Sequence, residues 1–312
     1  MAQRETSTRR AVTDALFVLA GQQDKVILVS SDSAAVIKAQ DFQAAYPDQV
    51  VEMGIAEQAA MCCAAGLAAS GLKPVYATYA VFATMRACEQ FRTMIAYPGM
   101  SVTVVGANGG MGSGEREGVS HQGLEDIGIM RAIPKTTVLV PSDAGQVTKA
   151  VIAASDIEGP VYIRIGSGKE PLVHEEDTPF PLYSTRTLYD AGTDAVIFTC
   201  GFVLPQVLRA CSKLEEQGIK VRAVEIATVK PLPTDEVQNH IAEARTVFTV
   251  EDHNIIGGLG SAVAEVSDKY VNRVGLEDVF PESGSSDELF DAYGLSEEHI
   301  IKLVSSIVNH KV

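Results

Sequence analysis

Short runs of Val, Ile and other apolar residues alternate along the chain with longer segments of helical period, and this alternation constrains the fold most. The sequence predicts strands over 25–31, 50–54, 74–79, 101–107, 137–141 and 161–165, with helices over 56–70, 81–96 and 143–155. Strands that are apolar on both faces and separated by helices belong in a parallel sheet covered on either side. The pattern lapses over 170–192, where prolines and charges follow no period. A second alternating unit follows, with strands over 195–200, 221–228 and 246–251 and helices over 204–217, 234–244, 260–272, 285–293 and 296–308. The expected fold class is α/β, with two mostly parallel-sheet domains. The first spans 1–178, a linker spans 179–192, and the second domain spans 193–312. A chain of 312 residues has room for both, at about 150 residues per domain.

Charge narrows the function. Lys and Arg number 25 against 40 Asp and Glu, a net charge of −15. Such a chain repels nucleic-acid backbones and anionic lipid, so neither is an expected partner, although a local basic pocket can still take a small phosphate. The longest apolar stretch, 61–72, is short and rich in Ala and Gly, and no secretory apolar run follows the start. Cys62, Cys63, Cys88, Cys200 and Cys211 show no CxxC spacing, so reduced thiols in the cytoplasm are expected, without a metal site.

Common catalytic motifs are absent. Gly109-Gly110-Met111-Gly112-Ser113-Gly114 and Gly257-Gly258-Leu259-Gly260 fit no dinucleotide fingerprint, and there is no phosphate loop, nucleophile elbow or paired-His metal spacing. Both glycine runs read as tight turns beside a ligand or at a helix start. His121 stands out because its polar, Gly-flanked segment has no core period. Glu57 lies where an apolar strand gives way to an Ala-rich helix, which suits either a helix-dipole carboxylate or a ligand-binding one. Tyr79 and Phe82, three apart at a strand-to-helix junction, have the spacing that in most such pairs means core packing, and that a planar heteroaromatic ligand would also want. Glu251, Asp252 and His253 end a strand and are expected to line a subunit contact.

Six blocks in order carry a resemblance: MGIAEQ (53–58), KPVYATYAVFATMRACEQ (73–90), GEREGVSHQGLEDIGIMRAIP (114–134), VPSDA (140–144), GPVYIRIG (159–166) and VEDHNIIGGLGSAVAE (250–265). Together they resemble the pyrimidine-binding and C-terminal domains of transketolase in its split, two-gene form, over nearly the whole chain. The 1-deoxy-D-xylulose-5-phosphate synthases share parts of the pattern. The resemblance implies that Glu57 hydrogen-bonds the aminopyrimidine of thiamine diphosphate and activates it, while Tyr79 and Phe82 stack on and flank that ring. It places Asp32 near the thiazolium and the donor sugar, and His121 beside hydroxyls near the reacting carbon. Members of this family hold the diphosphate through a Mg²⁺ or Ca²⁺ ion on a Gly-Asp-Gly motif, and no Gly-Asp-Gly occurs here. The resemblance therefore implies an N-terminal partner subunit carrying that motif and the metal, assembled as an α2β2 heterotetramer.

Several positions depart from the family. Ser167 stands where an arginine of the YIRLGR segment is usual, Asn108 replaces a histidine, Val36 replaces a serine, and GEREG is one residue longer than the usual GEDG. The sugar-phosphate site is thus expected to be rebuilt by Arg116 or Lys169, or the substrate differs: a branched sugar phosphate such as apulose 4-phosphate, a sulfo-sugar, or an unphosphorylated ketose. The expected reaction moves a two-carbon ketol unit from a ketose to an aldose. Decarboxylating condensation of a 2-oxo acid, and a silent partner subunit, are the alternatives.

Overall fold

The computed structural model describes residues 7–23, 25–112, 117–168 and 170–310. Arg116 and Lys169, expected at the phosphate site, lie outside the described residues. The first half comprises α1 (Thr8–Gln22), β1 (Val26–Ser30), α2 (Gln40–Ala45), β2 (Val50–Glu52), α3 (Glu57–Ala69) and β3 (Lys73–Tyr79). After these come α4 (Cys88–Gln90), β4 (Thr103–Ala107), α5 (Asp126–Ala132), β5 (Thr137–Leu139), α6 (Ala144–Ala154) and β6 (Val161–Arg164). The second half holds β7 (Arg186–Asp190), β8 (Ala195–Thr199), α7 (Leu204–Glu216), β9 (Val221–Glu225), β10 (Thr228–Lys230) and α8 (Thr234–Glu243). It closes with β11 (Thr246–Asn254), α9 (Leu259–Ala264), β12 (Val271–Leu276), α10 (Ser286–Ala292) and α11 (Glu297–His310).

Two sheets result, in the orders β10-β5-β6-β4-β3-β1-β2 and β12-β11-β8-β9-β7. Every pairing is parallel except those of β10 with β5 and of β7 with β9. β1, β4 and β8 are buried along their whole length, as strands covered on both faces must be. α1 starts on Ser7, whose side chain accepts the Arg10 N–H, and buries Ala11, Ala15, Leu16 and Leu19 against α6. α3 presents Ala60, Ala64 and Ala65 to the opposite face of the sheet, so its backbone lies close to β3.

Three expectations need correction. The stretch read as the 179–192 linker contains β7, because residues 186–190 complete the open edge of β9. The run read as one helix over 260–272 is a short α9 followed by β12, whose Val271, Val274 and Leu276 are buried against β11. The helix expected over 81–96 contains wide π turns at Phe82–Arg86 and Phe91–Ala96, on either side of α4. Such turns recur at functional sites, because each rotates the following side chains out of the α-helical register.

The halves are not separate bodies. β10 leaves the second half to pair with β5 of the first sheet. One apolar cluster runs through both halves, joining Val138 and Val140 to Val196, Phe198, Val224 and Ile226.

Candidate active site

The register of the first sheet sets the site. Ser30 pairs with Ala77, Tyr79 with Ala107, and Gly106 with Arg164. Asp32, Tyr79, Asn108 and Ser167 therefore fall at or just beyond the carboxyl ends of four neighbouring parallel strands. Open α/β sheets bind their ligands at this edge. Glu57 opens α3 at the same edge.

Glu57 is an acidic side chain held inside: it is 5% exposed, and Arg86 Nη1 donates to its Oε1 at 2.7 Å. The Arg86 guanidinium lies 4.1 Å from the centre of the Phe82 ring. Tyr79 and Phe82 meet edge to face at 5.7 Å between centres. His121 closes a triangle of rings, 4.9 Å from Tyr79 and 5.1 Å from Phe82. Its Nδ1 is 3.0 Å from Ser120 Oγ. Glu57, Tyr79, Phe82 and His121 thus come together from three separate segments. A buried carboxylate beside a partly open aromatic face suits a flat heterocycle that carries ring nitrogens, so these residues fit an aminopyrimidine.

Arg9 of α1, not singled out from the sequence, belongs to the same corner. Its Nη2 donates to Asn108 Oδ1 and its guanidinium lies 5.9 Å from the Tyr79 ring centre. Arg9 Nε and Asn108 Nδ2 are buried donors without a hydrogen-bond partner among the described residues. Asn108 is 0% exposed and Arg9 half-buried, so a ligand meets this pair through the Arg9 guanidinium. Asn108 takes a positive φ of 56°, which an Asn side chain tolerates better than most. Ser167 is turned to other work: its hydroxyl lies 3.4 Å from Glu170 Oε1, and Thr8 Oγ1 donates to Glu170 Oε2 at 2.6 Å. Asp32 is exposed, with its N–H donating to Glu52 Oε1 at 2.7 Å. No hydrogen bond or ring contact joins Asp32 or Ser167 to the ring triangle among the described residues. No group of three metal-binding side chains occurs among those residues.

Glu251, Asp252 and His253, expected at a subunit surface, are 0%, 2% and 0% exposed. They sit between the halves. Arg164 Nε donates to Asp126 Oδ2 at 3.1 Å and its Nη2 donates to the Asp252 carbonyl at 2.6 Å. Both glycine runs serve this interior. Met111 N–H donates to Asp252, and the Leu259 and Gly260 N–H groups donate to Glu251 at 2.6 and 2.7 Å. A Cβ on Gly258 would stand 2.0 Å from Glu251 Oε2. Burial holds the Glu251 carboxyl up at about 7 despite these donors, and holds the His253 imidazole down at about 4. The cluster is structural, and the glycines admit backbone to buried carboxylates.

Comparison with known proteins follows the same division. The model of the transketolase pyrimidine-binding domain matches residues 4–169, and that of the transketolase C-terminal domain matches residues 185–300. A putative transketolase C-terminal section from Methanocaldococcus jannaschii is 36% identical, covering 95% of this chain and 94% of its own length. One subunit of the apulose-4-phosphate transketolase from Phocaeicola vulgatus is 35% identical, over 99% of each chain. A solved split-gene transketolase, an inactive β4 tetramer, superposes with a TM-score of 0.88 at 36% identity, covering 98% of this chain and 99% of that one.

Proposed function

The chain belongs to the transketolase family, and we propose that it forms the C-terminal subunit of a divided enzyme that passes a two-carbon ketol unit from a ketose to an aldose. The family implies thiamine diphosphate, which when bound supplies the electron sink for breaking the ketose carbon–carbon bond. One observation carries the assignment: at the carboxyl edge of the sheet a single planar group, the Arg86 guanidinium, reaches both the buried Glu57 carboxylate and the Phe82 ring.

In this reading Glu57 hydrogen-bonds a ring nitrogen of the aminopyrimidine and holds a proton there. Phe82 supplies the stacking face, and Tyr79 walls the ring from water. His121, fixed against both aromatics, gives and takes protons at substrate hydroxyls. Asp32, exposed at the end of β1, meets the polar head of the donor. Arg9, held by Asn108, binds its far, oxygen-rich end, where the departures from the family offered Arg116 or Lys169 as a rebuilt anion site. Ser167 shapes that end by holding Glu170. A ketose phosphate, including a branched one of the kind the Phocaeicola vulgatus enzyme is named for, suits a guanidinium anchor.

The diphosphate and its Mg²⁺ or Ca²⁺ belong to a second chain with a Gly-Asp-Gly motif. Ile55 and Met85, chain neighbours of Glu57 and Arg86 and 76% and 43% exposed, offer that chain an apolar seat, continued by the exposed Met94 and Tyr97 further along the same helical segment. An α2β2 heterotetramer satisfies both requirements. The test is Glu57→Ala in the assembled complex, with ketol transfer measured under saturating thiamine diphosphate and Mg²⁺. Turnover should fall by a factor of about 100 or more, as for loss of a proton-transfer group, with assembly unchanged. Wild-type turnover in that variant would remove the assignment.

A further inference from the structure

Arg86 makes the contacts that an aminopyrimidine would make. Its planar guanidinium lies 4.1 Å from the Phe82 ring centre and donates to Glu57 Oε1 at 2.7 Å. A flat group on that ring, with an N–H aimed at that carboxylate, is the arrangement proposed above for the cofactor. Both cannot hold the same face of Phe82. We propose that Arg86 is an internal stand-in, which neutralises Glu57 while the site lacks cofactor and leaves Phe82 when the cofactor enters. The inference rests on the reading of Glu57 and Phe82 given above.

Physical chemistry favours both ends of this exchange. A carboxylate 5% exposed is costly to leave unpaired, so the chain without cofactor needs a cation there. Arg86 is 47% exposed, so its head can return to water at little loss. The wide turn Phe82–Arg86 sets the last residue of the turn over the ring of the first. Among the described residues, Arg86 pairs with no carboxylate other than Glu57. The stack thus forms only while nothing else satisfies Glu57.

A stand-in competes with the cofactor, and the apparent dissociation constant rises by the inverse of the fraction of sites left open. If Arg86 holds the site about nine-tenths of the time, Arg86→Ala should tighten thiamine diphosphate binding by about tenfold. The measurement is calorimetric titration of thiamine diphosphate, with Mg²⁺ present, into the complex with the N-terminal subunit. Arg86→Ala should also lower the melting temperature of the complex without cofactor and enlarge the rise that cofactor produces. Arg86→Lys keeps the charge but not the plane, and should fall between. Weaker or unchanged binding by Arg86→Ala overturns the proposal, as does a loaded complex in which Arg86 still lies on Phe82. Glu57→Ala separates the two readings. If it binds cofactor as tightly as the wild type, the cofactor site itself is wrong; if it loses binding while Arg86→Ala gains none, only the stand-in fails.

Discussion

Replacing His174 tests how the two halves are joined. Its Nδ1 lies 2.9 Å from Asp143 Oδ2 and its Nε2 lies 3.0 Å from Glu225 Oε2, with its side chain 3% exposed and both carboxylates 0%. Asp143 also caps α6 through the Gln146 N–H and accepts the N–H groups of Val173 and His174. One imidazole therefore ties the 170–192 segment to α6 and, through Glu225, to β9. Burial alone would lower its pKa, but the hydrogen bonds it donates to Asp143 and Glu225 outweigh burial and push it up from 6.5 to about 9. At about 1.4 kcal/mol per pH unit, that rise is worth about 3 kcal/mol to the folded state.

The sign follows from which state holds the proton more tightly. The folded protein does, so the stabilisation is complete below pH 6.5 and disappears as pH rises through about 9. Denaturant unfolding followed by circular dichroism, from pH 6 to 10, should show the wild type losing about 3 kcal/mol more than His174→Gln over that window. The variant should start lower at pH 6, because it leaves the buried Asp143 without its cation and Glu225 with only Arg186, 3.4 Å away. The Glu251 carboxyl, near 7, titrates in both proteins and cancels in the difference. Parallel pH profiles for the two proteins would refute the charged-bridge reasoning.

Gly110→Ala should destabilise the fold by about 3–5 kcal/mol, read from the denaturation midpoint: φ is +96° and the new Cβ would stand 2.1 Å from Asp252 Oδ2, so backbone strain adds to a displaced buried carboxylate. Arg9→Met should cut kcat/KM for a ketose phosphate by about tenfold or more, the worth of a charge-assisted hydrogen bond, and leave an unphosphorylated ketose nearly untouched. Equal losses on both substrates would remove Arg9 from the phosphate end. Carbon dioxide release from pyruvate should be absent from the assembled complex, whereas the decarboxylating alternative requires it.

The parts of the molecule legible in the sequence are those that short-range pattern encodes. Runs such as Val26–Ser30 and Thr103–Ala107 are apolar on both faces, which announces a covered parallel strand before any partner is known. β7 was not legible because Arg186–Asp190 is a half-exposed edge, whose only reason to be a strand is the open side of β9. The same distinction runs through the site. Glu57, Tyr79, Phe82 and His121 carried local signals: a carboxylate at a strand-to-helix junction, aromatics three apart, a histidine among glycines. Arg9 and Arg86 carried none, since each looks like an ordinary helical cation until the sheet register brings Asn108 beside one and the turn at Phe82 lays the other across a ring. Glu251, Asp252 and His253 misled for the opposite reason. Three polar residues at a strand end resemble a surface, yet Arg164, 1% exposed, and the glycine runs supply partners from distant positions that make their burial tolerable. Long side chains and buried charges take their meaning from partners far away in the chain, so they are where a sequence pattern says least about this fold and where the chemistry of its site is concentrated.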